Sequence, residues 1–266
     1  MAIRDMSEAL PRAEGAAGPR LTAIASGKGG VGKTWFAITL AQALARAGAR
    51  VLLFDGDLGL ANVDIQLGLN AAHDLAAVLA GRVTMRAAAQ ACAAGGFDVL
   101  AGRAGSGALA GLGPEAIDRL LESLAQLPYD HVLLDLSAGV DGSTRRLAAG
   151  AGLLLVIATD EPTSLTDAYA VIKLHAAAVP DGAVQLVINQ ADSAAAAQRT
   201  YAILARACSQ FLGRAPALAG WVRRDDKVRD AIRRQMPLLS RHPASNAGAD
   251  VINIAEKLVR KQGLLF

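Results

Sequence analysis

The stretch Gly27-Lys28-Gly29-Gly30-Val31-Gly32-Lys33-Thr34 decides the fold. It fits the pattern G-x-x-x-x-G-K-[ST], and its flanks fit as well: an apolar run at 21–26 reads as a strand, and residues 33–47 have helical spacing. Gly27, Gly29, Gly30 and Gly32 let the backbone curl around Val31 so that its N–H groups point inward at phosphate oxygens. The helix that starts at Lys33 adds the positive end of its dipole. Lys33 is expected to reach β- and γ-phosphates, and the Thr34 hydroxyl to bind Mg²⁺. A turn that only joins strand to helix is the plain alternative. It requires neither the Gly-Lys-Thr ending nor these flanks.

Outward from this loop, short apolar runs alternate with longer stretches of helical spacing. Strands are predicted at 21–26, 50–54, 97–101, 131–135, 153–158, 184–189 and 217–222. Helices are predicted at 33–47, 114–126, 143–149, 163–177, 194–212, 226–235 and 249–261. Strand followed by helix, repeated, implies an α/β fold: a single doubly wound, mostly parallel sheet flanked by helices, of the P-loop NTPase kind. Residues 1–19, with Pro11 and Gly15-Ala16-Ala17-Gly18-Pro19, read as a flexible leader. The nucleotide-binding domain is expected over 20–262, with a short apolar tail at 263–266.

A chain of 266 residues with 53% hydrophobic and 19% charged side chains has enough apolar surface for a core, which excludes a mainly disordered protein. Its mean hydropathy of +0.32 invites a membrane reading. The longest apolar stretch, 147–158, is broken by Gly150 and Gly152 and falls short of the roughly 18 residues a spanning helix needs. Residues 1–20 carry mixed charge and no apolar secretory segment, so the cytosol is the expected compartment. Cys92 and Cys208 are too few for a disulfide framework or a zinc site and read as buried thiols. Residues 221–266 hold ten Lys and Arg against five Asp and Glu, which places any basic surface in the last quarter of the chain.

Further candidate site residues follow from position. Asp55 and Asp57 end the second strand, where a doubly wound sheet presents its ligand-contacting loops, and can approach Mg²⁺ and an attacking water. A cap or turn role for Asp55 is an equal alternative. His131-Val132-Leu133-Leu134-Asp135 is an apolar run ending in a carboxylate, so Asp135 is placed to hold Mg²⁺ through water. Lys28 is a second cation inside the loop, where it cannot serve its own triphosphate as Lys33 does. It could reach instead across a dimer interface to a partner's nucleotide.

This K-G-G-x-G-K-T form resembles the deviant Walker A loop of the MinD/ParA ATPases, in which the first lysine acts in trans. The segment Asp55-Gly56-Asp57-Leu58-Gly59-Leu60-Ala61-Asn62-Val63-Asp64 is similar to one in the FlhG/FleN regulators of flagellar number. So is Asp160-Glu161-Pro162-Thr163-Ser164-Leu165-Thr166-Asp167-Ala168-Tyr169. The resemblance, over about residues 21–239, implies ATP and ADP as ligands, Mg²⁺, slow hydrolysis, and an ATP-dependent homodimer. It gives Lys28, Lys33 and Asp57 catalytic roles, Asp57 orienting the hydrolytic water. Asn189 matches the asparagine that bonds adenine, a role its amide suits; capping a strand end fits it equally. Arg223 stands where relatives carry a loop beside the base. Gly139 matches a switch glycine, whereas Leu136 departs from the family's usual threonine, which puts the hydrolysis rate in question.

The same resemblance implies partners: an FlhF-like GTPase or a flagellar transcription activator, with transient residence at the cell pole or inner membrane surface. The leader keeps Asp5 and Leu10 of an FlhF-stimulating segment but little else, and Lys261-Gln262-Gly263-Leu264-Leu265-Phe266 offers weak membrane binding or none. A competing reading is a ParA-like positioning ATPase that binds DNA through Arg223, Arg224, Lys227, Arg229, Arg233, Arg234 and Arg241. Asp225, Asp226 and Asp230 partly neutralise that cluster, so a solvated helix face is preferred. An iron-protein reading fails because no cysteine follows Asp135 in the switch segment.

Overall fold

In a computed structural model of the chain, residues 20–57, 61–102 and 112–263 are described. The leader expected at 1–19, the Leu58-Gly59-Leu60 part of the acidic-loop motif and tail residues 264–266 lie outside them. One eight-stranded sheet has the order β3-β4-β2-β5-β1-β6-β7-β8. Its strands are β1 (Arg20–Ser26), β2 (Val51–Gly56), β3 (Gln90–Cys92), β4 (Phe97–Leu100), β5 (His131–Ala138), β6 (Leu153–Ala158), β7 (Val184–Ala191) and β8 (Ala217–Arg223). All pair in parallel except β3, which runs antiparallel to β4 at one edge. The expected mostly parallel, doubly wound sheet is therefore present.

The sheet is buried on both faces because its central strands are apolar along most of their length, and the period of two sorts their side chains. Ala23, Ala25, Leu52, Phe54, Val132, Leu134 and Leu136 face one core; Ile24, Val51, Leu53 and Leu133 face the other. The first core is covered by α3 (Leu75–Leu79), α4 (Met85–Ala88), α5 (Pro114–Ala125), α6 (Gly142–Ala149), α7 (Pro162–Ala178) and α8 (Ala194–Leu212). The second is covered by α1 (Lys33–Arg46), α2 (Val63–Leu67), α9 (Asp226–Arg233), α10 (Leu238–Arg241) and α11 (Asn246–Gly263). Cys92 and Cys208 are buried and unpaired, one in each core.

Several elements differ from the sequence reading. The strand expected at 131–135 runs on to Ala138, because β5 lies between β1 and β2 and finds partners on both sides: Gly56 beside Leu136 and Ser26 beside Ala138. The strand expected at 184–189 extends to Ala191, which pairs with Arg223. α11 starts three residues before 249, where Ser245 Oγ accepts the Gly248 N–H, and reaches Gly263, the first residue assigned to the tail. The short elements α2, α3, α4, β3 and α10 were not foreseen; segments of three to five residues are too short for a period to show.

Candidate functional site

The loop 27–32 joins the end of β1 to α1 at the centre of the sheet, where the chain's crossovers change direction. Two of its glycines are required by conformation: Gly30 and Gly32 have φ of +82° and +87°. Gly27 is required by packing, because a Cβ there would lie 2.3 Å from the backbone carbonyl of Asp167 in α7. Gly32 is the N-cap of α1, with no side-chain cap and no acidic residue in the first turn. The first N–H groups of that helix are thus left for an anion.

Lys33 Nζ donates to Asp135 Oδ1 at 2.7 Å, and both side chains are buried. The Thr34 hydroxyl lies close enough to the Asp135 carboxylate to favour its charged form. Burial pushes the Asp135 carboxyl above its ordinary range, opposed by the Lys33 ammonium and the Thr34 hydroxyl. Its second oxygen, Oδ2, is buried without a hydrogen-bond partner among the described residues. An orphaned carboxylate oxygen beside a threonine hydroxyl fits a hard cation held together with phosphate and water. Mg²⁺ commonly uses only one or two protein carboxylates in such sites.

Asp55 stands beside Asp135 in register on β2 and is fully buried. Its carboxylate accepts the Asp57, Asn62 and Val63 N–H groups at 3.2, 2.9 and 3.0 Å. Of the two roles left open for it, the loop anchor is the one with contacts. Burial and the charge of Asp135 push its pKa up to about 7, against those three backbone donors. Asp57, half-buried, accepts a bond from Ser137 Oγ at 3.2 Å, which brings the acidic loop and the end of β5 together. Gly139, with φ +105°, donates its N–H to Ser26 O at 2.9 Å. Leu136 points the other way, into the core under α3 to α8, packed against Gly56.

Lys28 lies outside this cradle. Its Nζ donates to the Glu161 carboxylate and, at 3.0 Å, to Thr163 Oγ1, at the start of α7. Asn189 is buried and tied to the loop: Nδ2 donates to Val31 O at 2.7 Å, and Oδ1 accepts the Gln190 N–H. Each end of the amide keeps further capacity for an adenine edge. Arg223 is committed elsewhere, since its guanidinium grips both oxygens of Asp250 on α11 at 2.9 and 2.8 Å. Of the basic cluster, Arg223, Arg224 and Arg241 pair with Asp250, Asp192 and Asp230. No ion pair within 4.0 Å is recorded for Lys227, Arg229, Arg233 or Arg234 among the described residues.

The fold thus brings the loop 27–34, Asp55, Asp57, Asp135 and Asn189 together, with the Lys28 side chain turned out to α7, and leaves Arg223 at the edge strand. The sequence reading gave no role to Ser137, Glu161, Thr163 or Asp250. Glu161 and Thr163 lay inside a motif it quoted, and Ser137 between Leu136 and Gly139, which it named; Asp250 carried no signal.

The chain matches the model of the CobQ/CobB/MinD/ParA nucleotide binding domain over residues 22–238. It is 34% identical over 241 residues to the antiactivator FleN of Pseudomonas aeruginosa, covering 90% of this chain and 86% of that one. The flagellum site-determining protein YlxH of Helicobacter pylori is 31% identical over 158 residues, 59% of this chain and 53% of its own. Among solved structures, the septum site-determining protein MinD of Pyrococcus horikoshii, complexed with Mg-ADP, superposes with a TM-score of 0.77 at 25% identity over 92% of this chain and 98% of that one. With a loop built for phosphates and these relatives, the chain belongs to the CobQ/CobB/MinD/ParA nucleotide-binding family, as an ATPase of the MinD/ParA type.

Proposed function

We propose that this protein is an ATP-gated switch: a monomer without ATP, a face-to-face dimer with it, reset by slow hydrolysis. One observation carries the reading. Lys33 already supplies the cation of the cradle through its bond to Asp135, while Lys28, five residues earlier in the same loop, is held away at the start of α7. A loop lysine with no place in its own cradle is available to a second copy. ATP that draws it there has a higher affinity for the dimer than for the monomer, which is what a population switch requires.

Each residue's part follows from its position. The glycine loop and the first turn of α1 bind phosphate oxygens, and Lys33 shifts from Asp135 to the β- and γ-phosphates. Thr34 and Asp135 would hold Mg²⁺, which supplies charge neutralisation at the phosphates when bound. Asp57, positioned by Ser137, orients the attacking water, and Asp55 holds the loop that carries Asp57. Asn189 reads the base. Leu136 packs on the opposite face of β5, so its departure from the family threonine leaves the phosphate side of that strand unchanged.

Similarity to FleN and YlxH supports control of flagellar number or placement as the output, and the name antiactivator supports a transcription activator as one partner. An FlhF-like GTPase is the other candidate. No described helix is long and apolar enough to cross a membrane. Light scattering of wild type and Lys28→Ala with Mg-ADP and then Mg-ATP tests the switch. Wild type alone should dimerise, and only with ATP; two monomers that both bind ATP would refute it. The exposed Lys227, Arg229, Arg233 and Arg234 favour DNA as a second reading, for which ATP-dependent, salt-sensitive DNA retention is the test.

A further inference from the structure

Two large apolar side chains stand in the open where α2 meets the end of α9. Ile65 of α2 is 56% exposed, and Met236, just past the end of α9, is 38% exposed. One contact ties the two elements together. Gln235, next to Met236, donates its side-chain Nε2–H to Ile65 O at 2.8 Å. Its φ of +53° is a left-handed conformation that favours glycine, and a Cβ on Gly68, at the end of α2, would lie 3.2 Å from the Gln235 Cβ. A strained residue whose side chain spans from one element to the other fixes Ile65 and Met236 on a single surface.

That surface is cationic. Arg233, Arg234, Gln235 and Met236 form an unbroken exposed run, and Arg229 stands one turn before Arg233 on the outer side of α9. No ion pair within 4.0 Å is recorded for these three arginines among the described residues. The nearby carboxylates are largely committed: Asp225 accepts the Lys227 N–H as the cap of α9, Asp230 is held by Arg241 and His242, and Asp64 accepts the Ile65 N–H. Asp226, in the first turn of α9, is set against the helix dipole.

Arginines alone would suit any polyanion. Ile65 and Met236 offer nothing to a phosphate backbone, which is gripped by cations and polar groups. They do suit a protein segment, since the buried centre of a protein interface is apolar and enriched in Met and Arg. We propose that the α2–α9 surface docks an acidic amphipathic helix of a partner protein. Ile65 and Met236 meet its apolar stripe, and Arg229, Arg233 and Arg234 meet its carboxylates. The surface is joined to the acidic strand ends, because α2 begins at the Asn62 and Val63 N–H groups that the Asp55 carboxylate holds. The docking does not depend on the dimer switch proposed above.

Fluorescence anisotropy tests it with three labelled probes. One is a helix-forming peptide of about 18 residues with leucine at i, i+3, i+4 and i+7 and glutamate on its flanks. The others are a scrambled peptide of the same composition and a short DNA duplex. The striped peptide should bind about tenfold or more tightly than the scrambled one. Ile65→Ser with Met236→Ser should weaken the striped peptide about tenfold and leave the scrambled one unchanged, whereas Arg233→Glu with Arg234→Glu should abolish binding of both. All four side chains are exposed, so both variants should keep the wild-type melting temperature. Equal binding of the two peptides by wild type, or no binding of the striped one, overturns the proposal. Tighter binding of the duplex than of the striped peptide, indifferent to Ile65→Ser with Met236→Ser, assigns the surface to DNA and overturns it as well.

Discussion

Replacing Glu161 by glutamine should make the protein dimerise more readily with ATP. In the monomer, Lys28 is tethered to the Glu161 carboxylate and the Thr163 hydroxyl, and it must leave both to reach a second copy's nucleotide. The pair is exposed, with side-chain accessibilities of 37% and 59%, so the tether is worth about 0.5–1 kcal/mol rather than the several expected of a buried pair. A dimer uses two such lysines. Glu161→Gln therefore favours association by about 1–2 kcal/mol, or roughly 5–30-fold in the dimerisation constant. Sedimentation velocity across a protein concentration series, with Mg-ATP in excess, measures that constant directly. The gain should shrink as salt is raised from about 0.05 to 0.5 M, because an exposed ion pair is screened. With ADP both proteins should remain monomeric. An unchanged or weaker dimer in Glu161→Gln would refute the tether, and would mean that Glu161 holds Lys28 where the dimer needs it.

Gly27→Ala should abolish nucleotide binding in a fluorescent-nucleotide titration, with at least a hundredfold loss. Its Cβ would fall 2.3 Å from the Asp167 backbone, which no side-chain rotation relieves, so the phosphate loop itself must move. Leu136→Ala should lower stability by about 2–4 kcal/mol in urea unfolding while ATP turnover per folded molecule changes less than threefold, since the side chain is buried on the face away from Lys33. Acid should destabilise the protein through its buried histidines. Burial holds both His131 and His175 below their ordinary value of 6.5, so the unfolded chain takes up the protons first. Stability is full above pH 6.5 and falls as pH drops below it. His175→Gln should flatten the slope of melting temperature between pH 6.5 and 5; a slope unchanged in the variant assigns the acid sensitivity elsewhere.

How far the sequence reaches can be judged from particular residues. The phosphate loop was legible because its chemistry is local: glycine spacing, a strand before and a helix after fix the backbone path within eight residues. Alternating apolar runs gave the parallel sheet, since strands buried on both faces must be apolar throughout. Asp135 was legible for the same reason, as the polar end of an apolar strand. Between Asp55 and Asp57 only the structure distinguishes roles. Both end β2, yet the Asp55 carboxylate turns inward to gather three backbone N–H groups while Asp57 meets Ser137.

Pairings between distant segments were beyond the sequence. Lys28 and Glu161 are 133 residues apart, and Arg223 and Asp250 are joined only because α11 packs along β8. The family resemblance sets Arg223 beside the base; tertiary packing pairs its guanidinium with the Asp250 carboxylate. The phosphate loop, the acidic strand ends and the sheet are thus properties of the sequence, because local chemistry and the period of two determine them. Which lysine enters the cradle and which aspartate anchors the loop are decided only when β1, β2, β5 and α7 come together. Hydrogen bonds of about 3 Å depend on positions that no local pattern sets.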